Sequence, residues 1–317
     1  MQPLIRYLPK EFNYDFIRYR YIPITLSAFL VVASLISVAV QGLTFGIDFA
    51  GGLKIDARAE QAVDVAELRD RLNSLGIGGV AITTAGAEKR DVIIRVQQQE
   101  DGEQALNAAL KKVQAELNGF EIRSTESVGP KVGAELIING ALAIALSLIG
   151  IAIYVWLRFE WQFALGACLS LTHDVITTVG LFSLLQIEFD LNTVAAVLTI
   201  VGFSINDTVV VYDRVRELLR KYKKLPLPDL LNLSLNRVLS RTVVTSLTAL
   251  LAVMALVVAG GAELRSFSTA MAWGLIVGTY STIYVALPVL VYFELRRDDL
   301  MAPKDSGAVK GAAEQAG

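Results

Sequence analysis

The chain has 317 residues, 54% of them hydrophobic, and a mean hydropathy of +0.51; a soluble core cannot absorb that much apolar surface, whereas a bilayer can. Its 29 basic and 31 acidic side chains leave a net charge of -2, so no overall basic surface invites a nucleic acid. A single cysteine, Cys168, and a single histidine, His173, exclude an intrachain disulfide and any Cys- or His-rich metal cluster.

In chain order, a basic N-terminal segment (1–21, with Arg6, Lys10, Arg18 and Arg20) leads into an apolar run at 22–40. That run is too long for the apolar region of a signal peptide, and no small-x-small site follows it. It reads as an uncleaved first span. Residues 41–133 then form a polar insert. Leu53, Lys54, Ile55, Asp56 and Ala57 alternate like a half-buried strand, and Val65, Leu68, Leu72 and Leu75 have helical spacing before Gly76, Gly78 and Gly79 break it. Strands at 80–84 and 91–96, a helix at 104–117 and a strand at 120–125 complete the order β-α-β-β-α-β. This order predicts a small ferredoxin-like α+β domain. It carries no Ser/His/Asp set and no phosphate-binding loop, so it is expected to bind or to act as a lever, not to catalyse.

Five further spans are expected within 134–293, at 136–157, 162–185, 191–212, 243–259 and 267–293, the last long enough to tilt. The fold class is therefore a six-helix membrane protein with one small soluble domain. Trp156 and Trp161 flank the turn between the second and third spans, where interfacial aromatics belong. The connection 213–240 carries Arg214, Arg216, Arg220, Lys221, Lys223, Lys224 and Arg237. Pro226 and Pro228 interrupt it, and Leu230, Leu231, Leu235, Val238 and Leu239 then make an apolar face. Either an amphipathic helix on the inner membrane surface or a loop packed on neighbouring helices fits that pattern. The segment 294–317 reads as a tail of small and polar residues, expected to be disordered from 302 onward. The basic connection, the N-terminus and Arg296 and Arg297 of the tail fall on one side. By the positive-inside rule both termini are cytoplasmic and the insert lies outside.

Ionisable residues inside the spans are costly and are functional suspects. Asp207 lies in the fourth span about two turns above the basic rim, and Arg241 opens the fifth from that rim, so an Asp207–Arg241 pair is the simplest the sequence offers. It fits a static ion pair that fixes helix packing, or a carboxylate whose proton decides whether the arginine is held. His173 and Asp174, near the middle of the third span, fit a packing hydrogen bond or a proton relay. No Gly-x-Gly-Asp sequence surrounds either acid, against an intramembrane aspartyl protease. Gly274 and Gly278 permit close helix contact. Asp48, Gly51 and Gly52 lie in a Gly-rich turn just outside the first span that needs unusual backbone angles.

The sequence resembles the SecF branch of the SecD/SecF family of bacterial protein-export membrane proteins. The residues that carry the resemblance are Tyr14-Asp15-Phe16, the turn Gly46-Ile47-Asp48-Phe49-Ala50-Gly51-Gly52, His173-Asp174, Ser204-Ile205-Asn206-Asp207-Thr208-Val209-Val210, Ser240-Arg241-Thr242, and Gly278-Thr279-Tyr280-Ser281-Thr282. The resemblance covers nearly the whole chain. It implies half of an RND-type transporter in the bacterial inner membrane, with SecD supplying the other six-span half as heterodimer partner. It also implies work beside the SecYEG channel and YajC on preprotein substrates, driven by the proton motive force. Neither a cofactor nor an enzymatic activity is expected. By the same resemblance Asp207 and Arg241 take part in proton conduction; Asp174 is expected either to join them in proton coupling or to support the bundle, and Asp48 with Gly51 and Gly52 is expected to be the hinge into the soluble lever. An RND-like exporter of lipids or small molecules, and a structural scaffold of the translocon, are the rival readings.

Overall fold

The computed structural model describes residues 13–85, 90–97, 102–261 and 263–293. The basic residues Arg6 and Lys10 and the tail expected at 294–317 lie outside them. Among the described residues six helices are long and apolar enough to cross a bilayer. They are α1 (Tyr21–Gln41), α5 (Pro130–Arg158), α6 (Trp161–Leu185), α7 (Leu191–Lys221), α8 (Leu227–Ala259), and α9 (Arg265–Ser281), which a π-helical segment Thr282–Ala286 joins to α10 (Leu287–Tyr292). Between α1 and α5 lie a one-turn helix α2 (Ile47–Ala50) and the soluble domain: β1 (Gly52–Ala59), α3 (Val65–Asn73), β2 (Val80–Ala85), β3 (Asp91–Gln97), α4 (Gly102–Glu116) and β4 (Phe120–Val128).

The soluble domain has the predicted ferredoxin-like topology. Its four strands are antiparallel in the order β2-β3-β1-β4. The period-2 alternation sends Leu53, Ile55, Val92, Ile94 and Val96 to one face, where they pack on Leu68 and Leu72 of α3 and Leu106 and Val113 of α4. Asp64 caps α3 by accepting from the amides of Ala66 and Glu67, at 2.9 and 3.3 Å. The other face of the sheet is polar and turns toward the membrane helices.

Within the bundle α6, α7 and α9 form the interior, and α1, α5 and α8 present mostly exposed apolar surface. Small residues let the inner helices approach. A Cβ at Gly274 would stand 2.3 Å from Ile200 on α7, and one at Gly278 would stand 3.2 Å from the Cβ of Ser204. The interruption of α9 follows from Pro288, which has no N–H to return to the carbonyl of Tyr284. The chain widens to a π-turn just before it, and Tyr212 Oη donates to the Ala286 carbonyl at 3.3 Å.

The connection between α7 and α8 combines features of the two alternatives the sequence left open: its second half is helical, and it packs on neighbouring helices. α7 continues to Lys221, and α8 starts at Leu227 and runs unbroken through the predicted fifth span, because Pro226 and Pro228 sit at its start, where proline is tolerated. Its apolar face meets protein. Leu230, Leu231 and Leu235 are buried with Ile17, Val215, Leu218 and Leu290. Asn232 and Asn236, one turn apart, bind the backbone of the Tyr14-Asp15-Phe16 segment: Asn236 Oδ1 accepts from Tyr14 N at 2.9 Å and Asn232 Oδ1 from Ile17 N at 3.0 Å. The Asn232 amide also donates to Asp15 Oδ1 at 2.6 Å.

Candidate functional site: a polar seam through the inner helices

Asp174 is fully buried in α6, and three helices supply its partners. Its Oδ2 accepts from Ser204 Oγ of α7 at 2.7 Å and from Ser281 Oγ of α9 at 2.9 Å, and Oδ1 lies 3.1 Å from Nδ1 of His173. Ser170 donates to Ser281 at 2.9 Å and extends the network. A buried carboxylate needs this many donors, because an unpartnered charge at such depth is prohibitive. The absent side chain of Gly278 makes the arrangement possible: its Cβ would come within 3.6 Å of Asp174 Oδ2.

Asp207 follows Ser204 by three residues, on the same side of α7 and toward the basic end. It too is buried, yet among the described residues its only hydrogen bond is a long one, 3.4 Å from Ser246 Oγ of α8 to Oδ2. Thr279 of α9 donates to that serine at 2.8 Å, so a line Thr279–Ser246–Asp207 crosses three helices. Next to it Thr208 and Thr282 pair at 2.9 Å. The Asp207–Arg241 pair that the sequence offers is not closed. Among the described residues Arg241 makes no ion pair with Asp207, and its side chain is exposed on α8. The reason is depth: Ser246 lies five residues further along α8, about 7.5 Å of rise, and stands level with the carboxylate.

At the other end of the bundle, Asp48 Oδ2 accepts from the first amide of α7, Leu191 N, at 2.9 Å. Gly46 N donates to Phe189 O at 2.9 Å and Phe189 N to Thr44 O at 2.8 Å, and Phe45, Phe49 and Phe189 pack ring against ring. Gly51 and Gly52 adopt φ of 74° and 131°, the left-handed half of the map that the turn was expected to need. A Cβ on Gly133 of α5 would fall 2.7 Å from the carbonyl of Phe49. The motif is thus a short strap pinned to α5 and α7 that hands the chain directly to β1.

The structure brings Asp174 and Asp207 onto one seam and leaves Arg241 beside it. Sequence reasoning missed Ser204, Ser246, Thr279 and Ser281. Hydroxyls are common in apolar helices, and only two spacings, three residues from Ser204 to Asp207 and three from Gly278 to Ser281, hinted at a shared face.

Six membrane helices, two carboxylates on a buried polar seam and a ferredoxin-like domain on one face define a membrane transport component of the transporter-half type. The chain matches the family described as protein export membrane protein SecD/SecF, C-terminal, over residues 107–296, and the SecD/SecF GG motif over residues 36–63. It is 43% identical to the protein translocase subunit SecF of Rickettsia felis over 296 residues, covering 92% of this chain and 96% of that one. It is likewise 43% identical to SecF of Rhodobacter capsulatus over 328 residues, 98% of each. Its fold is similar to the crystal structure of SecDF, a translocon-associated membrane protein from Thermus thermophilus, with a TM-score of 0.80 and 36% identity. That likeness covers 91% of this chain and 40% of that longer one. A SecDF in a super-membrane-facing form gives a TM-score of 0.66. The chain belongs to the SecF family of protein translocase subunits.

Proposed function

We propose that this subunit pairs with a SecD-type half in the bacterial inner membrane and uses the proton motive force to promote preprotein translocation and release on the periplasmic side, beside SecYEG and YajC. Both termini are then cytoplasmic and the ferredoxin-like domain periplasmic, which the basic clusters at Arg18 and Arg20 and at 214–224 support. The subunit acts as a transporter-like component and not as an enzyme.

One observation carries this reading: among the described residues Asp207 is buried with a single long hydroxyl contact, while Arg241 stands exposed nearby and makes no ion pair with it. Asp207 is not tied down by a full set of donors and is the acid free to exchange a proton, whereas Asp174, with its full set of donors, is suited to hold the helices around it. A proton on Asp207 removes the attraction for Arg241 and its loss restores it, which shifts α8 against α7. One charge moved through 100 mV is worth about 2.3 kcal/mol, enough to change a two-state ratio about fifty-fold. Asp48, Gly51 and Gly52 then pass the movement into the soluble lever.

Proton conductance and preprotein release measured in vesicles containing this chain and its SecD partner test the proposal. Asp207→Asn and Arg241→Gln, at matched assembly, are expected to reduce both to the level of vesicles without the complex. Retained conductance and release in Asp207→Asn would leave a structural scaffold as the better account.

A further inference from the structure

Beyond the seam, the polar face of the sheet makes a second set of charged contacts that the proposed function does not use. In register across the strands, Lys54 of β1 stands between Arg95 of β3 and Glu126 of β4, and Asp56 stands beside Ser124. This face covers two loops of the membrane domain, the turn from α6 to α7 and the turn from α8 to α9. Lys54 Nζ lies 2.7 and 2.8 Å from the two carboxylate oxygens of Glu263, in the turn from α8 to α9. It is also 3.7 Å from Asp56 and 3.7 Å from Glu126. Arg95 pairs with Glu188, in the turn from α6 to α7. Ser124 donates to Asp56 at 2.7 Å, and Asn192 at the start of α7 approaches the Glu263 carbonyl at 3.5 Å. The Lys54 and Asp56 side chains are only 12% and 15% exposed, whereas Glu263 and Glu126 stay about half exposed.

We infer that this cluster is an acid-closed latch: a proton shared between Asp56 and Glu263 clamps the soluble domain onto the two loops, and its loss loosens the clamp. Around Lys54 stand three carboxylates, Asp56, Glu126 and Glu263, against one ammonium, with the Arg95–Glu188 pair neutral beside them and Asp190 also within the field of Arg95. Holding all three as anions on one small interface is repulsive, and a single proton relieves it. Glu263 is the group that takes it. The hydrogen bond to Asp56, then burial, push it up to about 7 against the pull of Lys54. For Asp56 the cost of burial is outweighed by the hydrogen bonds from Glu263 and Ser124 and by Lys54, so its carboxyl is lowered and stays ionised. For Lys54 burial is outweighed by Glu263 and Asp56, and it remains a cation.

The sign follows from Glu263. Its pKa in the docked arrangement lies above the ordinary 4.5, so its contribution to docking is complete below about 4.5 and is lost as pH rises through about 7. The docked-to-released ratio falls at most tenfold per pH unit across that window, and the partial solvent exposure of the carboxyl makes this a ceiling. An acidic outer compartment thus holds the domain down on the turns that join α6 to α7 and α8 to α9, the helices that carry Asp174, Asp207 and Ser246.

The test is the distance between spin labels at Arg69→Cys on α3 and Val258→Cys near the end of α8, in a Cys168→Ala background. The full chain is held in nanodiscs, with and without its SecD partner, from pH 5 to 8.5. The docked distance is expected to dominate at pH 5 and to give way to a broader, longer distribution by pH 8. Glu263→Gln, whose amide still donates to Asp56, is expected to stay docked throughout. A wild-type distribution unchanged across the range overturns the latch, as does a Glu263→Gln profile that follows the wild type. Because no step involves Asp207, the profile should survive Asp207→Asn, which separates a failure of the latch from a failure of the proton-coupling proposal.

Discussion

Asp174 and Asp207 lie one serine apart on the same seam and differ in how completely they are served. Asp174 accepts from two serines on two other helices, with His173 at its second oxygen, so its carboxyl group is built into the packing. We expect Asp174→Asn to lower the stability of the detergent-solubilised chain by about 1–3 kcal/mol, the cost of leaving a buried hydrogen-bonding partner unsatisfied. Thermal unfolding of the purified protein checks this. A variant that kept its stability but lost proton conductance would make Asp174 a relay instead. Asp207 has one weak contact to lose, so Ser246→Ala should cost under about 1 kcal/mol in the same assay. If Ser246 orients the carboxylate for proton exchange, the same substitution still lowers proton conductance in vesicles. The two acids and Arg241 were legible in the sequence because charge in an apolar run is expensive wherever it occurs. Their serine and threonine partners were not, because a hydroxyl in a helix can satisfy itself on its own backbone, as Thr245 and Thr248 do.

At the level of elements, the inner helices meet at glycines, and two of them fail differently when filled. At Gly274 the obstacle is a side chain: an added Cβ would stand 2.3 Å from both Cδ1 and Cγ1 of Ile200, itself buried. At Gly166 it is backbone as well, with Tyr212 Oη at 2.5 Å and the Ala286 carbonyl at 2.7 Å. Both Gly→Ala changes should destabilise by about 1–3 kcal/mol through overpacking. Adding Ile200→Ala should recover most of the loss at Gly274, whereas adding Tyr212→Phe should recover little at Gly166. Equal rescue in the two double mutants, read by thermal unfolding, would contradict the assigned contacts. The six spans were readable from length and hydropathy, and the order of the soluble domain from its two periods. The course of α8 was not. The face Leu230, Leu231, Leu235 has the same spacing whether it meets lipid or protein. Only the asparagines on the adjoining face, which hold residues 14–17 more than 200 positions away, decide for protein. The π-turn was equally hidden, since proline predicts a kink but not which carbonyls are left to a neighbour.

For the molecule as a whole, three attachments of the soluble domain to the bundle stand out among the described residues. β1 leaves the strap at Gly52, and β4 enters α5 at Pro130 one residue after Gly129. These two strands are neighbours, with Gly52 opposite Val128, so both covalent joints lie side by side at one end of the sheet. The third attachment is the ion-pair cluster of Lys54 and Arg95 with Glu263 and Glu188, between residues far apart in sequence and so invisible to any reading by period or motif. A body held at two adjacent joints is free to turn about the line between them, and ionic contacts at a third point oppose that turn. If the domain works as a lever on an emerging chain, fixing that third point must stop export without disturbing the seam. Lys54→Cys and Glu263→Cys in the Cys168→Ala background, bridged by a short bis-maleimide after assembly, should abolish preprotein release. The uncrosslinked double mutant, and each single mutant treated with the same reagent, should retain it. Proton conductance in the bridged complex then distinguishes tight from loose coupling. If it falls together with release, movement of the domain is an obligatory part of the proton cycle, whereas conductance that persists while release stops means the seam cycles without its lever. Release that continues in the fully bridged complex would show that the domain does not need to move, and would return it to the role of a fixed docking platform.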